Sequence, residues 1–471
     1  MSQAAPLAAH PMTRRDVLAM AAAASIAPRA FAAETPRPSR SAGDELQIAL
    51  LGAGWRPDIR RHGRGIALGK QAQSIGRLVA LAEVDRVAGD YAAERFADAS
   101  GPPLDRVTDY RDLLGREDID AVIVATPDHW HAKMAVDALR AGKHVYLEKP
   151  ATVTVAEGRD LIREAERAGR TLLVGTQQRT EIGRRFAQAI ALVRSGRLGQ
   201  IRTIRVGVDP GLDGGPFPTQ PIPERLDYEL WQGPAPERPY CPERTHWTFR
   251  WWVEYAGGKL TDWGAHHVDI AQWAIGRLHT GPTRIEGEGT LPQPFENGFP
   301  TRDDTYAMPL TFSVRCLFPE LPNAERLGGD TATAGEVTMT IDSGENGILF
   351  EGTAGRIFVN RGRLTGAPVE EMASDPLPES AVEAVYRDLG YDGPLPVSHM
   401  RHFADCIRDR RQPISDIATH HRTLTTCHLA NLSLRLGRPL QWDPQRERFA
   451  DDPAADALLH RDPRPGYAYG E

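Results

Sequence analysis

Asp262 and His266 stand four residues apart in the stretch Gly257-Gly258-Lys259-Leu260-Thr261-Asp262-Trp263-Gly264-Ala265-His266. On a helix this spacing stacks both side chains on one face, their Cβ atoms about 5–6 Å apart. A carboxylate beside an imidazole is equipment for moving protons, and the paired glycines ahead of it allow a close backbone approach to a ligand. A capped helix start with a satisfied core histidine has the same pattern. A zinc site on Asp262, His266 and His267 is the rival chemistry. Adjacent histidines project to different sides of a helix, and no further ligand stands at a recognised spacing, so no metal is expected. Lys149 is the second reactive candidate. It lies between Glu148 and Pro150 at the end of an apolar strand, and the proline biases it toward extended backbone. The segment His246-Trp247-Thr248-Phe249-Arg250-Trp251-Trp252 is the densest in aromatics. Aromatic faces stack on the apolar faces of sugar rings while Arg and His reach hydroxyls. His246, Trp247 and Trp251, with Arg179 and His267, are therefore candidate substrate contacts.

These groups need a scaffold, and the first half of the chain reads as one. Leu46 to Leu51 is a short apolar strand running into Gly52-Ala53-Gly54. A glycine turn lets backbone N–H groups approach a pyrophosphate at a helix start. The third glycine of G-x-G-x-x-G is replaced by Pro57, and glycines return only at Gly63 and Gly65, so the loop is lengthened or rearranged. Trp55 and Arg56 follow Gly54 directly and are candidate cofactor contacts. The strand Leu78 to Glu83 ends in a carboxylate, farther beyond the glycines than the usual ~20 residues. Glu83 there suits ribose hydroxyls and disfavours a 2′-phosphate, which favours NAD; the nearby Arg86 leaves NADP open. Helices over 90–96 and 110–114, a strand over 121–125, a helix over 130–141, a strand over 144–147, a helix over 155–168 and a strand over 171–174 follow. This alternation predicts an α/β fold with a doubly wound parallel Rossmann sheet, whose ligands sit at the carboxyl ends of the strands. Thr126, Pro127, His131, Glu148, Lys149 and Gln177 fall there and complete the candidate cofactor contacts.

With Ala125-Thr126-Pro127 and His131, then Glu148-Lys149-Pro150, then Gly257 to His266, the chain resembles the Gfo/Idh/MocA oxidoreductases from about residue 46 to 440. The Trp-Gly-Ala-His-His-Val-Asp stretch is similar to an exported sub-branch, and the glycine loop departs from the family pattern. The resemblance implies a two-domain NAD(P) enzyme acting on sugars, inositols or related polyols. It implies that Lys149 touches substrate hydroxyl and cofactor, often before a cis proline, that His266 is the acid/base group, and that Asp262 positions a hydroxyl or the histidine. An ammonium enclosed beside a nicotinamide cation is expected to have its pKa lowered toward a useful range. Simple dehydrogenation is the leading reaction. Glycoside cleavage through transient oxidation at C3, with NAD recycled, is the alternative, as is sugar–sugar oxidoreduction. A non-catalytic sugar-binding protein that retains NAD is the reading from a different class.

Composition sets the outer limits. The 471 residues suffice for two or three domains and a large core, and 41% hydrophobic with 25% charged residues excludes wholesale disorder. The net charge of −7 gives no basic footprint for nucleic acid, and four scattered cysteines (Cys241, Cys316, Cys406, Cys427) read as core thiols. Residues 1–33 carry Arg14-Arg15, an Ala-rich apolar stretch and Ala30-Phe31-Ala32, the order of a twin-arginine signal. Periplasmic export of a folded enzyme is expected, with a tightly held cofactor and no membrane contact once the signal is removed. Residues 34–45 read as a linker, 46–172 as the NAD(P)-binding domain and 173–438 as an α+β substrate and oligomerisation domain. That second domain is expected to hold a large, open-faced, mostly antiparallel sheet from strands at 201–208, 285–289, 305–308, 337–341, 347–351 and 355–359, with helices at 399–410 and 419–436. Its free face is expected to pair in a homo-oligomer. Residues 439–471 read as an arm laid over a neighbouring subunit.

Overall fold

The computed structural model describes residues 45–56, 61–97, 103–322 and 332–469. The expected signal segment, and the linker up to residue 44, lie outside the described residues. Among the described residues no helix is long and apolar enough to cross a membrane.

Six parallel strands form the first sheet: Leu46–Leu51 (β1), Gly76–Ala82 (β2), Asp105–Val107 (β3), Ala121–Val124 (β4), His144–Leu147 (β5) and Leu172–Val174 (β6). Their spatial order is β3-β2-β1-β4-β5-β6, the doubly wound arrangement whose order reverses beside β1. The Ala-Val-Ile-Val of β4 is buried at every position, as a strand covered on both faces requires. One face packs Ile48, Leu50, Ile123 and Leu173 under Arg64–Ala72 (α1), Arg86–Phe96 (α2) and Phe403 of a helix from the second domain. The other packs Leu51, Val122, Val124 and Leu147 under Asp128–Arg140 (α3) and Val155–Ala168 (α4). Thr154 caps α4 by accepting from Glu157 N, and Gly169 ends it in the left-handed region.

The second sheet has nine strands: Ile201–Val208 (β7), Arg284–Thr290 (β8), Thr311–Phe318 (β9), Val337–Ser343 (β10), Gly347–Gly352 (β11), Arg356–Val359 (β12), Leu364–Thr365 (β13), Leu440–Asp443 (β14) and Arg448–Phe449 (β15). They run in the order β13-β12-β11-β7-β10-β9-β8-β14-β15, antiparallel except for β7 and β10. Inward residues alternate with exposed ones, as in β9, where Phe312, Val314, Cys316 and Phe318 are buried. Arg185–Arg194 (α5), Gly264–Ala274 (α7, preceded by the short α6 at Gly258–Asp262) and Ile417–Leu436 (α9) cover that inner face. His399–Asp409 (α8) is the helix that reaches the first sheet. The four cysteines are buried and free.

Two expectations are corrected. Thr305 to Met308 is not a strand: Tyr306 N donates to Gly214 O, and Ala307 N and Met308 N donate to Trp251 O. Pro309 interrupts the run, and the alternating Thr311–Phe318 takes the place in the sheet. The tail, expected to lie over a neighbouring subunit, packs on its own chain. After β14 and β15 it turns back over its own chain, because its Arg and Tyr side chains find partners there. Arg461 donates to Glu157 Oε1 (2.8 Å), Glu254 O (3.0 Å) and His129 O (3.0 Å). Arg464 Nε donates to Gly233 O at 2.6 Å, and the Tyr467 ring meets Trp130 edge-on.

Candidate active site

The glycine loop is a fingerprint interrupted by a hairpin. Gly52 (φ +85°) and Gly54 (φ +66°) turn the chain at the end of β1. Trp55–Arg56 and Arg61–His62 then pair antiparallel and return the chain at Gly63. Gly63 N donates to Gly54 O, and Ile66 N donates to Ala53 O at 3.0 Å. A Cβ at Gly63 would stand 2.1 Å from Gly54 O, and one at Gly65 only 1.9 Å from Gly52 O. These two glycines thus close the turn on which α1 begins, as the missing third glycine would have done. The side chains of Trp55 and Arg56 lie outside those described. Thr126 forms the floor under Gly52, 2.9 Å from where its Cβ would be, and Pro127 precedes the first residue of α3.

Glu83 holds this loop. Its Oε2 accepts from Ala53 N (2.7 Å) and Gly54 N (3.3 Å), and its Oε1 accepts from Asp85 N (3.0 Å). Burial raises its pKa against these hydrogen bonds. A carboxylate offers about four acceptor positions, so one remains for a ribose hydroxyl. The bare-backbone cradle, the helix start and the strand-end acid together fit a dinucleotide.

Glu148 and Lys149 end β5, and the Lys149–Pro150 peptide is cis. Glu148 Oε1 accepts from Arg64 Nε and from Gln177 Nε2, which also donates to the Tyr146 hydroxyl; Glu148 Oε2 accepts from Lys149 N. Burial opposes its charge, but Arg64 and Lys149 prevail and hold its pKa below the usual range. Arg64, the first residue of α1, ties the glycine loop to the Glu-Lys-Pro segment. Lys149 Nζ crosses to the second domain, donating to Asp262 Oδ1 (2.7 Å) and Asp262 O (2.8 Å). Asp262 Oδ2 stands 3.7 Å from Arg250 Nε. Burial works against the Asp262 carboxylate, yet Lys149 and Arg250 keep it ionised well below the ordinary range.

His266 follows on α7, its ring T-shaped against Trp263 and 4% exposed as a residue. Its buried Nδ1 has no partner among the described residues. Burial, then the charges of Lys149 and Arg361, lower its pKa well below that of free imidazole, so it is neutral. Asp128, the first residue of α3, has its carboxyl raised to about 7 by burial, with Arg250, Asp262 and Lys149 as its charged neighbours.

Other candidates belong elsewhere. Arg179 is fully buried. It donates to Asp269 through Nε (2.8 Å) and Nη2 (2.5 Å) and to Ile414 O, so it braces α7 and α9 and cannot meet substrate. His267 is 0% exposed, and its Nε2 is 2.9 Å from Asn346 Oδ1. Trp251 is buried in an aromatic cluster with Trp252, Tyr255 and Tyr306, whereas Trp247 remains partly exposed beside it. His131 offers no ring nitrogen to a cofactor: Nδ1 faces Pro150 O (2.6 Å) and Nε2 faces Thr126 O (2.9 Å), joining the two strand-end loops. His246, partly buried, stands 3.4 Å from Asp85 at the start of α2. Sequence reasoning missed Arg64 and Asp128, each the opening residue of a helix at a strand end, and Arg361, which arrives on a distant turn.

A glycine-cradled dinucleotide site joined to a Lys–Asp–His cluster defines an NAD-binding oxidoreductase. Residues 46–176 match the "Oxidoreductase family, NAD-binding Rossmann fold" of Gfo/Idh/MocA, and residues 193–296 and 384–469 match that family's C-terminal alpha/beta domain. The chain belongs to the Gfo/Idh/MocA oxidoreductase family. Among curated relatives it is 39% identical over 92 residues to the alpha-N-acetylgalactosaminidase of Shewanella oneidensis, covering 20% of this chain and 20% of that protein. Matches to the curated relatives thus span 20–28% of their length. Two solved structures share the fold. A levoglucosan dehydrogenase in complex with NADH and levoglucosan has TM-score 0.56 and 18% identity, covering 84% of this chain and 99% of its own. The WlbA dehydrogenase of Bordetella pertussis, with NADH and UDP-GlcNAcA, has TM-score 0.55 and 18% identity, covering 85% and 99%.

Proposed function

We propose that this protein oxidises a carbinol of a sugar or glycoside, with Lys149, Asp262 and His266 handling the proton. The observation that carries this is the meeting of Lys149, from the cofactor domain, with Asp262 and the neutral His266, from the second domain, at the carboxyl end of the parallel sheet. Bound NAD supplies the hydride acceptor. Its pyrophosphate would lie at the start of α1, over the turn that Gly52, Gly54, Gly63 and Gly65 close, and its ribose would lie beside Glu83. Lys149 and Asp262 orient the reacting hydroxyl as donor and acceptor. His266, unprotonated and with a free ring nitrogen, takes the hydroxyl proton as the C–H bond is lost. Its low pKa returns that proton readily to water. Trp247 offers a partly exposed face for a sugar ring. The levoglucosan and UDP-GlcNAcA complexes of the fold relatives support a sugar substrate.

A second reading has its own support. The curated relatives include a Shewanella alpha-N-acetylgalactosaminidase and glycosyl hydrolase family 109 proteins, which supports redox-assisted glycoside cleavage with cofactor recycling. Mass spectrometry of products from NAD-loaded protein and a glycoside panel separates the two. A keto-sugar with reduced cofactor supports dehydrogenation. Free sugar plus aglycone without net reduction supports cleavage. No product with any substrate contradicts both.

Export and assembly belong to the same reading. Arg14-Arg15 and the apolar stretch after them support twin-arginine export to the periplasm of the folded, cofactor-loaded enzyme, tested by a reporter fused to residues 1–40 with both arginines removed. The exposed face of the nine-stranded sheet, with Arg205, Glu286 and Arg315, supports homo-oligomer pairing, tested by sedimentation.

A further inference from the structure

One cation of the cleft feels its carboxylates only at longer range: Glu148, Glu181 and Asp262 attract Arg361 without pairing with it. Lys149 pairs with Asp262, Arg64 with Glu148, Arg250 lies 3.7 Å from Asp262, and Lys259 lies 3.4 Å from Asp209. Arg361 is different. Among the described residues no carboxylate comes within 4.0 Å of its guanidinium. That guanidinium lies 4.7 Å over the Trp263 ring, between Asp262 and His266 in sequence, and the residue is exposed. Gln178 ties it to the acid–base helix. With its amide oriented to satisfy both ends, Gln178 accepts from Arg361 Nε (3.2 Å) and donates to His266 O (3.2 Å). The terminal nitrogens Nη1 and Nη2 meet no acceptor among the described residues.

Arg361 is also deliberately presented. It sits in the turn between β12 and β13, where Asn360 Oδ1 accepts from Gly362 N and Arg363 N at 2.8 Å, and Asn360 N donates to Arg363 O at 2.9 Å. Asn360 Nδ2 donates to Asn346 O at 3.2 Å, and Asn346 Oδ1 is the partner of His267 on α7. The turn is therefore anchored to the helix that carries His266, which explains why His267 is spent on structure.

We propose that Arg361 is a specificity-determining residue that binds a carboxylate on the substrate, so that the sugar oxidised is an acidic one, a uronic acid or its glycoside. This rests on the sugar-oxidoreductase reading above. A planar guanidinium stacked on an indole, with its terminal fork unoccupied, matches a carboxylate bidentately. A phosphate would bring a charge of about −1.5 to −2, more than one guanidinium neutralises beside Asp262 and Glu148.

The test uses the full NAD-loaded protein with matched pairs of glycosides: glucoside and glucuronide, galactoside and galacturonide, and the corresponding sugar phosphates. The expected result is a kcat/KM at least about tenfold higher for a uronide than for its neutral partner, the equivalent of one favourable charge-assisted contact of about 1.4 kcal/mol. Arg361→Gln collapses that ratio mainly through KM, and Arg361→Lys restores part of it. Turnover that favours the neutral or phosphorylated member, or a uronide ratio unmoved in Arg361→Gln, overturns the proposal and leaves the sugar-oxidoreductase reading standing. Failure of every member to reduce bound cofactor overturns that reading, and the proposal with it.

Discussion

Lys149 Nζ lies 2.7 Å from Asp262 Oδ1 and 2.8 Å from the same residue's carbonyl oxygen, although 113 positions separate the two residues in the chain. One belongs to the parallel-sheet domain and the other to the helix pair over the nine-stranded sheet, so the cluster exists only once both domains are built. Removing either partner leaves the other charged and poorly matched. Lys149→Met and Asp262→Asn are each expected to lower kcat by about 10²–10⁴-fold, the range for a positioned proton-transfer group. The double variant should be little worse than the poorer single one, since the pair acts as a unit. Additive losses would show that the residues work separately.

The glycine loop makes a sharper demand. A Cβ at Gly65 would stand 1.9 Å from Gly52 O and 2.7 Å from Ala53 O. Gly65→Ala must push the start of α1 away from the loop, at the roughly 1–3 kcal/mol typical of overpacking. NAD binding followed by fluorescence titration should weaken by about tenfold or more, while unfolding remains cooperative. Unchanged affinity would mean that the cofactor does not use this turn.

Arg179 separates scaffold from site. Its bidentate pairing with Asp269 is wholly buried, and breaking such a pair costs about 3–5 kcal/mol. Arg179→Met should lower Tm sharply, measured by scanning calorimetry, with KM of the surviving folded enzyme little changed. A large KM effect without loss of stability would return Arg179 to the substrate site.

Buried histidines make the fold acid-labile. Burial lowers His129, His399 and His428 to about 3 and His144, His267 and His402 to about 4, and it also depresses His266 and His420. Each is neutral in the native state and takes a proton on unfolding below about 6.5. The stability each contributes is full above that pH and is lost as pH falls toward the folded value, by up to about 1.4 kcal/mol per pH unit. Glu83, Asp128 and Glu181, whose pKa values are raised by burial, act in the opposite sense. They are outnumbered. Tm should fall steadily between about pH 6.5 and pH 5; a flat profile would contradict these burials.

The parallel-sheet domain was legible because its strands are continuous apolar runs and its helices carry their own caps. The reading of Val155 to Ala168 as a helix agrees with the structure at both ends, set by Thr154 and Gly169. Lys149, Asp262 and His266 could be singled out because their short motifs carry the spacing that the chemistry needs. What failed was burial. Arg179, His267 and Trp251 lie close to the site along the chain, but helices close over the first two and an aromatic cluster over Trp251, and no local pattern reports that. His131 was misread because two carbonyl groups from loops around residues 126 and 150 converge on its ring. Arg361 was invisible because its place depends on the register of β12 and β13, almost a hundred residues past Asp262. The strap formed by Arg461, Arg464 and Tyr467 reads in sequence as an arm over a neighbouring subunit, since polar residues in a tail do not reveal partners on the same chain.

Rapid mixing of NAD-loaded protein with a panel of neutral and acidic sugars and glycosides, monitored by the absorbance of reduced nicotinamide, reads the hydride-transfer step itself. Reduction of bound cofactor by at least one substrate, transient or lasting, and its loss in both Lys149→Met and His266→Asn, is the result expected of a proton-handling cluster at a hydride-transfer site. Reduction that proceeds equally in those variants, or its absence with every substrate while the protein binds NAD and sugar normally, would show that Lys149 and His266 do not handle the proton of a hydride transfer.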